Sequence, residues 1–342
     1  MNTEKKDFKA WIKRRVSSSI FPLVVLLILM VIIFTVWAKL VNTEFFQFST
    51  LRNILQSLVV TSFLTIGAGC LLMAGHIDLS QSAIGALGGM VMAMAIFKLA
   101  LPWWVAIILC LVVCAIFGGI NAFMVTKLRF PSFIATLAMA SMAKGIMYLF
   151  SSLGGSNGLA QNINFTDSVI NFLGNAKIGV GTIQINVSVF IMIAFFIVFG
   201  ILMSKTRFGS KVILLGGNPV AANLAGINSD AIMFILFILS GVMGGVSGVF
   251  TTARMQQGML TALTSNQFTG ITAAILGGIS FGGGSGNMLG AFIGLLILNT
   301  FEIGMRVVGV NPDWIKVFSG VLLLVALTFD FISRRRKARV TL

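Results

Sequence analysis

Charge is what this chain most lacks. Of its 342 residues only 10% are charged, against roughly 25% in water-soluble domains, and only nine are acidic. It has one histidine, one tyrosine, three cysteines and five prolines. A single histidine excludes a zinc site of the usual ligand spacing, and a Ser-His-Asp triad would rest on His76 alone. Cys70, Cys110 and Cys114 lie inside apolar runs, so no disulfide framework follows and they read as small packing residues. No phosphate loop of the form GxxxxGK followed by Ser or Thr occurs, because GGGSG at 282–286 lacks the lysine. The chain therefore has no means of its own to hydrolyse ATP, and no bound cofactor is expected.

What it does have is apolar sequence in long runs: 57% of residues are hydrophobic and the mean hydropathy is +1.02. Runs of about 20 apolar residues suit membrane-crossing helices. The candidate spans are 20–41, 53–74, 80–98, 103–126, 131–150, 183–203, 231–253, 267–282, 287–304 and 315–332. The expected fold is all-α, a polytopic membrane protein of about ten transmembrane helices, the eighth and ninth short and interrupted by glycine. Ile20–Val41 follows a basic stretch as a signal segment would. It is too long for one and lacks a small-x-small cleavage site, and it reads as a retained first span.

A net charge of +15 raises the question of nucleic acid, but its placement answers it. Lys5, Lys6, Lys9, Lys13, Arg14 and Arg15 crowd one end, and Arg334, Arg335, Arg336, Lys337 and Arg339 the other. Basic clusters beside apolar spans mark cytoplasmic segments. No nucleic-acid partner is expected, and both termini are assigned to the cytoplasm. The resulting organisation is a basic tail (1–19), a transmembrane domain (20–332) and a second basic tail (333–342). Residues 151–182 form a polar outer loop and residues 204–230 a basic cytoplasmic loop. Glycines at four-residue spacing (Gly85/Gly89, Gly241/Gly245, Gly244/Gly248, Gly286/Gly290, Gly290/Gly294) let helix backbones approach closely, here within one subunit.

Three places carry polar groups that need explaining. In GHIDLS (75–80), Gly75 ends a helix and Asp78-Leu79-Ser80-Gln81 has capping-box spacing, so that Asp78 would cap the next helix while Gln81 reaches back. Two readings stay open: a capped break at the cytoplasmic end of span two with His76 among headgroups, or a break that lines a translocation path. The segment GGISFGGGSGNMLGAFIG (277–294) faintly echoes it, and paired interruptions point to a transporter's central site. Near span ends, Lys144 reads as a snorkelling lysine and Glu302 with Arg306 as a helical ion pair. In GGNPVAANLAGI (216–227), Asn218 suits a cap, Pro219 the first turn and Gly226 the stop. The short apolar helix between them is either a plug for a groove in another protein or an interfacial helix lying on lipid.

Five stretches, in order, resemble the membrane permease subunits of bacterial ABC importers for ribose, galactose and other simple sugars. They are GHIDLSQSAIGAL (75–87), PSFIATLAMASMAKGI (131–146), TRFGSKVILLGGNPVAANLAGI (206–227), AAILGGISFGGGSGNMLGAFIG (273–294) and GVNPDWIKVFSGVLLLVALTFD (309–330). The resemblance implies a pair of permeases, identical or sister chains, in the bacterial inner membrane. It also implies a separate ABC ATPase that uses ATP and Mg²⁺, and an extracytoplasmic solute-binding protein. Arg207, Gly209, Gly217, Asn218, Pro219, Ala221, Ala222 and Gly226 would form the segment that enters the ATPase groove. The chain departs from the family pattern at Gln267-Phe268-Thr269, where a Glu-Leu-Asp stretch is usual, and at His76, Ser210 and Val220. The sequence thus points to an importer permease for a simple sugar, with His76, Asp78, Gln81 and Asn121 as candidate pathway residues. A nucleoside or another small polar metabolite is the alternative cargo. An ion-driven carrier working alone is the alternative class, disfavoured by the scarcity of mid-span carboxylates.

Overall fold

A computed structural model describes residues 20–154, 158–181, 183–266 and 268–340; the basic tail at 1–19 and Gln267 lie outside the described residues. Five helices come first: α1 (Phe21–Leu40), α2 (Phe48–Met73), α3 (Gln81–Phe97), α4 (Trp103–Thr126) and α5 (Ser132–Gly154). The chain then forms β1 (Ile163–Asn164), α6 (Ser168–Asn175) and the hairpin β2 (Lys177–Val180) and β3 (Ile183–Asn186). After it come α7 (Val187–Lys205), α8 (Arg207–Gly217), α9 (Pro219–Leu224), α10 (Ser229–Met255) and β4 (Gln257–Gly258), which pairs with β1. The last helices are α11 (Thr269–Leu276), α12 (Met288–Val307) and α13 (Pro312–Val340). The fold is all-α, as the sequence predicts.

Seven helices among the described residues are long and apolar enough to cross a membrane, not ten. The expected span at 267–282 corrects most sharply. Its helical part, α11, has eight residues, about 12 Å at 1.5 Å per residue, well short of a bilayer core of about 30 Å. Gly277 and Gly278 stop it, the latter at φ +88. The span at 80–98 is also short: α3 has 17 residues, about 25 Å. At 315–332 the departure is the opposite, since α13 runs on to Val340 through the basic stretch.

α10 is the axis of the bundle, with α2, α3 and α4 packed around it. Glycine makes this packing close. A Cβ on Gly85 would stand 2.2 Å from the Gly244 carbonyl oxygen, and one on Gly248 2.1 Å from that of Gly85. On the adjoining face of α10, a Cβ on Gly241 would meet the Cys114 carbonyl oxygen at 2.4 Å. The four-residue glycine spacings thus serve contacts within the chain, one face of α10 for α3 and another for α4. Cys110 and Cys114 are fully buried, their sulfurs filling the space beside Gly88 and Gly245.

The described part of the expected outer loop, residues 158–181, holds more regular structure than a polar loop. Asp167 caps α6 by accepting from the Val169 and Ile170 N–H groups, both at 2.9 Å. The β1–β4 pair and the bond from Asn175 Nδ2 to the Arg254 carbonyl tie the loop onto the end of α10.

Candidate functional site

The cytoplasmic-type loop folds as its local residues dictate. Thr206 caps α8 by accepting from the Gly209 N–H, and Asn218 Oδ1 caps α9 by accepting from the Ala221 N–H at 3.0 Å. Pro219 occupies the first turn, where its missing N–H costs nothing. Beyond Leu224 the chain reverses through Gly226 at φ +76, with the Ile227 N–H returning to the Ala222 carbonyl. Gly209 is required because a Cβ there would lie 2.1 Å from the Met203 carbonyl oxygen. Arg207, Gly217, Asn218, Pro219, Ala221 and Gly226 are exposed and Ala222 is buried. On α9, Val220 and Leu224 stand one turn apart and are 70% and 86% exposed, an apolar pair with nothing of this chain against it.

α8 leads from this helix to both glycine breaks. A Cβ on Gly216 would meet the Met73 carbonyl oxygen at 2.0 Å and the Gly284 nitrogen at 2.6 Å. Gly284 donates its N–H to that same Met73 carbonyl at 3.0 Å, and Gly75 lies against Gly282 and Gly283. The two segments whose sequences echo each other therefore meet at one end of the bundle, backbone to backbone. Gly283 and Gly284 have φ of +83 and +77, which only glycine adopts without strain.

The GHIDLS break differs from a surface cap. Asp78 is buried and accepts from the Ser80 N–H at 2.8 Å, from the Ser80 hydroxyl, and from the Ser240 hydroxyl at 2.7 Å. Asn121 donates to Ser80 Oγ at 2.7 Å, and Thr136 Oγ1 accepts the Leu79 N–H at 3.1 Å. Ser240 is eleven residues into α10, so this cluster lies about 16 Å from the start of that helix. Residues 74–80 turn back into the bundle, and α3 starts in its interior, which is why α3 is short. Gln81 does not close a capping box: its Nε2 has no hydrogen-bond partner and abuts Gly67.

Of the four candidate pathway residues, Asp78 and Asn121 share this cluster through Ser80, and Gln81 is buried beside it. His76 stands apart. It lines a cavity of about 440 Å³ on the α8–α9 side, with Pro219, Asn223 and Met233, and its ring lies 6.2 Å from that of Phe237. Arg129 also lines this cavity and pairs with Asp230 through two hydrogen bonds of 2.7 and 3.0 Å. Sequence reasoning missed Ser240, Thr136 and the Arg129–Asp230 pair. The signal available for the first two was that a hydroxyl within an apolar span needs a partner. Among the described residues the ion pairs within 4 Å are Arg129–Asp230 and Lys316–Asp313; the expected Glu302–Arg306 pair does not close.

The chain is similar in sequence to several import permeases. The ribose import permease protein RbsC of Escherichia coli K12 is 31% identical over 94% of this chain and 95% of its own length. The fructose import permease protein FrcC of Rhizobium meliloti is 29% identical over 90% of this chain and 85% of its own. The L-arabinose transport system permease protein AraH of Escherichia coli K12 is 28% identical over 87% of each. A family model described as the permease component of the branched-chain amino acid transport system matches residues 50–327. With that match over most of its length, the chain belongs to this family of transport-system permease components.

Proposed function

We propose that this chain is the non-enzymatic, membrane-spanning subunit of an ABC importer and that its cargo is a simple sugar. A separate ATPase, consuming ATP and Mg²⁺, seats α9 in a groove on its surface. The α8–α9 side is the cytoplasmic one, both termini lie there, and a solute-binding protein delivers cargo to the opposite face. A second permease, the same chain or a sister, completes the path in the bacterial inner membrane.

The observation that carries this reading is α9 itself. It is held rigid by its own caps, and it presents Val220 and Leu224 to a partner this chain does not supply. A helix in a groove buries such one-turn-spaced anchors. The route inward supports the same reading: movement of α9 is transmitted by α8 to Gly216, and from there to the backbones at Met73 and Gly284. His76, in the cavity behind α9, is the pathway candidate placed to sense that movement.

The sugar assignment draws on the ribose, fructose and arabinose permeases above, whereas the family description names branched-chain amino acids. An uptake panel of D-ribose, D-fructose, L-arabinose, a nucleoside and L-leucine separates these cargoes. Coupling is tested by Val220→Asp/Leu224→Asp in the co-expressed assembly. The double variant is expected to keep the folded permease, since both side chains are exposed, while losing co-purification of the ATPase and at least about a hundredfold in uptake, the effect of placing two charges in an apolar groove. Undiminished ATPase attachment, or uptake by the purified chain alone driven by an ion gradient, would overturn the reading.

A further inference from the structure

Most polar side chains of the bundle are spent on one another, but Glu302 is not. It sits on α12, fourteen residues beyond Met288 and so about 21 Å from the glycine junction, toward the face opposite α9. Its carboxylate makes no hydrogen bond and no ion pair within 4 Å among the described residues. Instead it lines a cavity of about 410 Å³ between α11, α12 and α13, a size typical of small-molecule sites. Arg306, one turn further along α12, lines the same cavity and acts on Glu302 through its charge without closing an ion pair within 4 Å.

The rest of the wall is neutral and hydrogen-bonding. Asn266, Thr269, Thr272 and Ser319 contribute amide and hydroxyl groups. Phe268, 51% exposed, offers an apolar ring at the rim. No side chain caps α11 at Phe268, and the lining residues Phe268 and Thr269 belong to that uncapped end. Lys316 at the rim is engaged by Asp313 at 3.1 Å.

We infer that this cavity is a binding site for a neutral polyhydroxylated ligand, a monosaccharide resting on the permease on the side from which cargo arrives. A carboxylate accepts from two adjacent hydroxyls, a guanidinium donates to a third oxygen in a fixed plane, and an aromatic ring covers the C–H face. A ligand of one charge sign would leave either Glu302 or Arg306 opposed by like charge. A zwitterionic amino acid could pair with both, and L-leucine in the uptake panel sets it against the sugar. A fully apolar ligand would leave both unpaired, at the cost that attends every desolvated polar group. This inference rests on the sugar-permease reading and names where on the chain the sugar stops.

The test is protection from alkylation. The full chain carrying Ser319→Cys is placed in lipid nanodiscs, free of glycosidic detergent, and labelled with a small water-soluble maleimide; the three native cysteines are buried. Whichever of D-ribose, D-fructose or L-arabinose the intact assembly carries is expected to slow labelling at position 319 several-fold. Adding Glu302→Gln is expected to raise the sugar concentration needed for half-protection roughly tenfold or more, the effect of losing hydrogen bonds to a charged group. Arg306→Gln, a change at an exposed position, is expected to act the same way and decides the matter if the Glu302 variant does not fold. If the assembly carries a sugar that leaves labelling unchanged, or if neither variant moves the half-protection point, the cavity assignment fails and the permease reading stands. If the assembly carries none of the three, the sugar assignment fails and this site with it.

Discussion

Gly85→Val is expected to abolish folding of the bundle, seen as loss of a monodisperse peak in mild detergent. The added side chain has nowhere to go, because its Cβ alone would overlap the Gly244 carbonyl oxygen at 2.2 Å. That atom belongs to the backbone of α10, so no rotamer change relieves the clash. The helices must separate, and the neighbouring contacts go with them, since Gly89 lies against Thr252 and Gly244 against the Gln81 carbonyl along the same crossing. In lipid, where helix association depends on close packing rather than on exclusion of water, opening one crossing forfeits the attraction along its whole length. Gly85→Ala is expected to cost about 1–3 kcal/mol as overpacking, and the valine more. Gly145→Ala is the control. No atom lies within 4 Å of a Cβ there, and alanine in a helix interior is favoured over glycine by about 1 kcal/mol. A thermal scan showing Gly85→Val as stable as Gly145→Ala would refute the close-packed α3–α10 crossing.

How much of this was legible in the sequence follows from how local each cause is. The α9 helix could be read because its cap, its proline and its terminating glycine fall within Asn218–Gly226 and act on their own neighbours. The glycine spacings were legible because one helix face repeats every four residues; which helix each face meets was not. The break at Gly75 was visible, but its depth was hidden. The acceptors and donors that draw residues 74–80 inward stand on other helices, Asn121 on α4 and Ser240 on α10, and no local rule pairs them with Asp78.

The eighth span misled for a different reason. Residues 267–282 are apolar enough to cross, yet Gly277 sits against the Gly290 carbonyl oxygen, where a Cβ would be 2.3 Å away. That close approach uses α11 as a short prop between α2 and α12 rather than as a full crossing. The cavity at Glu302 was invisible for a related reason. Its walls come from three helices, and only their mutual placement leaves the carboxylate without a partner.

Asp78→Ala is expected to destabilise the chain by more than about 3 kcal/mol, the sum of donors it would strand at about 1–3 kcal/mol each. The Ser80 N–H, the Ser80 hydroxyl and the Ser240 hydroxyl all point at this carboxylate, and Asn121 supports Ser80 from behind. Water cannot replace it, because Ser80, Asn121 and Ser240 are fully buried. The break would then lose what ties α3, α4 and α10 at mid-depth. Asp78→Asn keeps one oxygen for Ser80 and turns its amide toward Ser240, whose hydroxyl can accept, so the cost is expected to fall to about 1–2 kcal/mol. Ser240→Ala removes one donor and leaves the other bonds in place, with a similar cost. These losses are read as shifts in thermal midpoint, and uptake per folded molecule is expected to stay near the wild-type value in Asp78→Asn. That ratio separates the two readings of GHIDLS. A clamp loses stability in step with its hydrogen bonds and leaves the surviving molecules active. A group lining the path would do the reverse, so wild-type stability with abolished uptake in Asp78→Asn would move Asp78 from the clamp to the route taken by cargo.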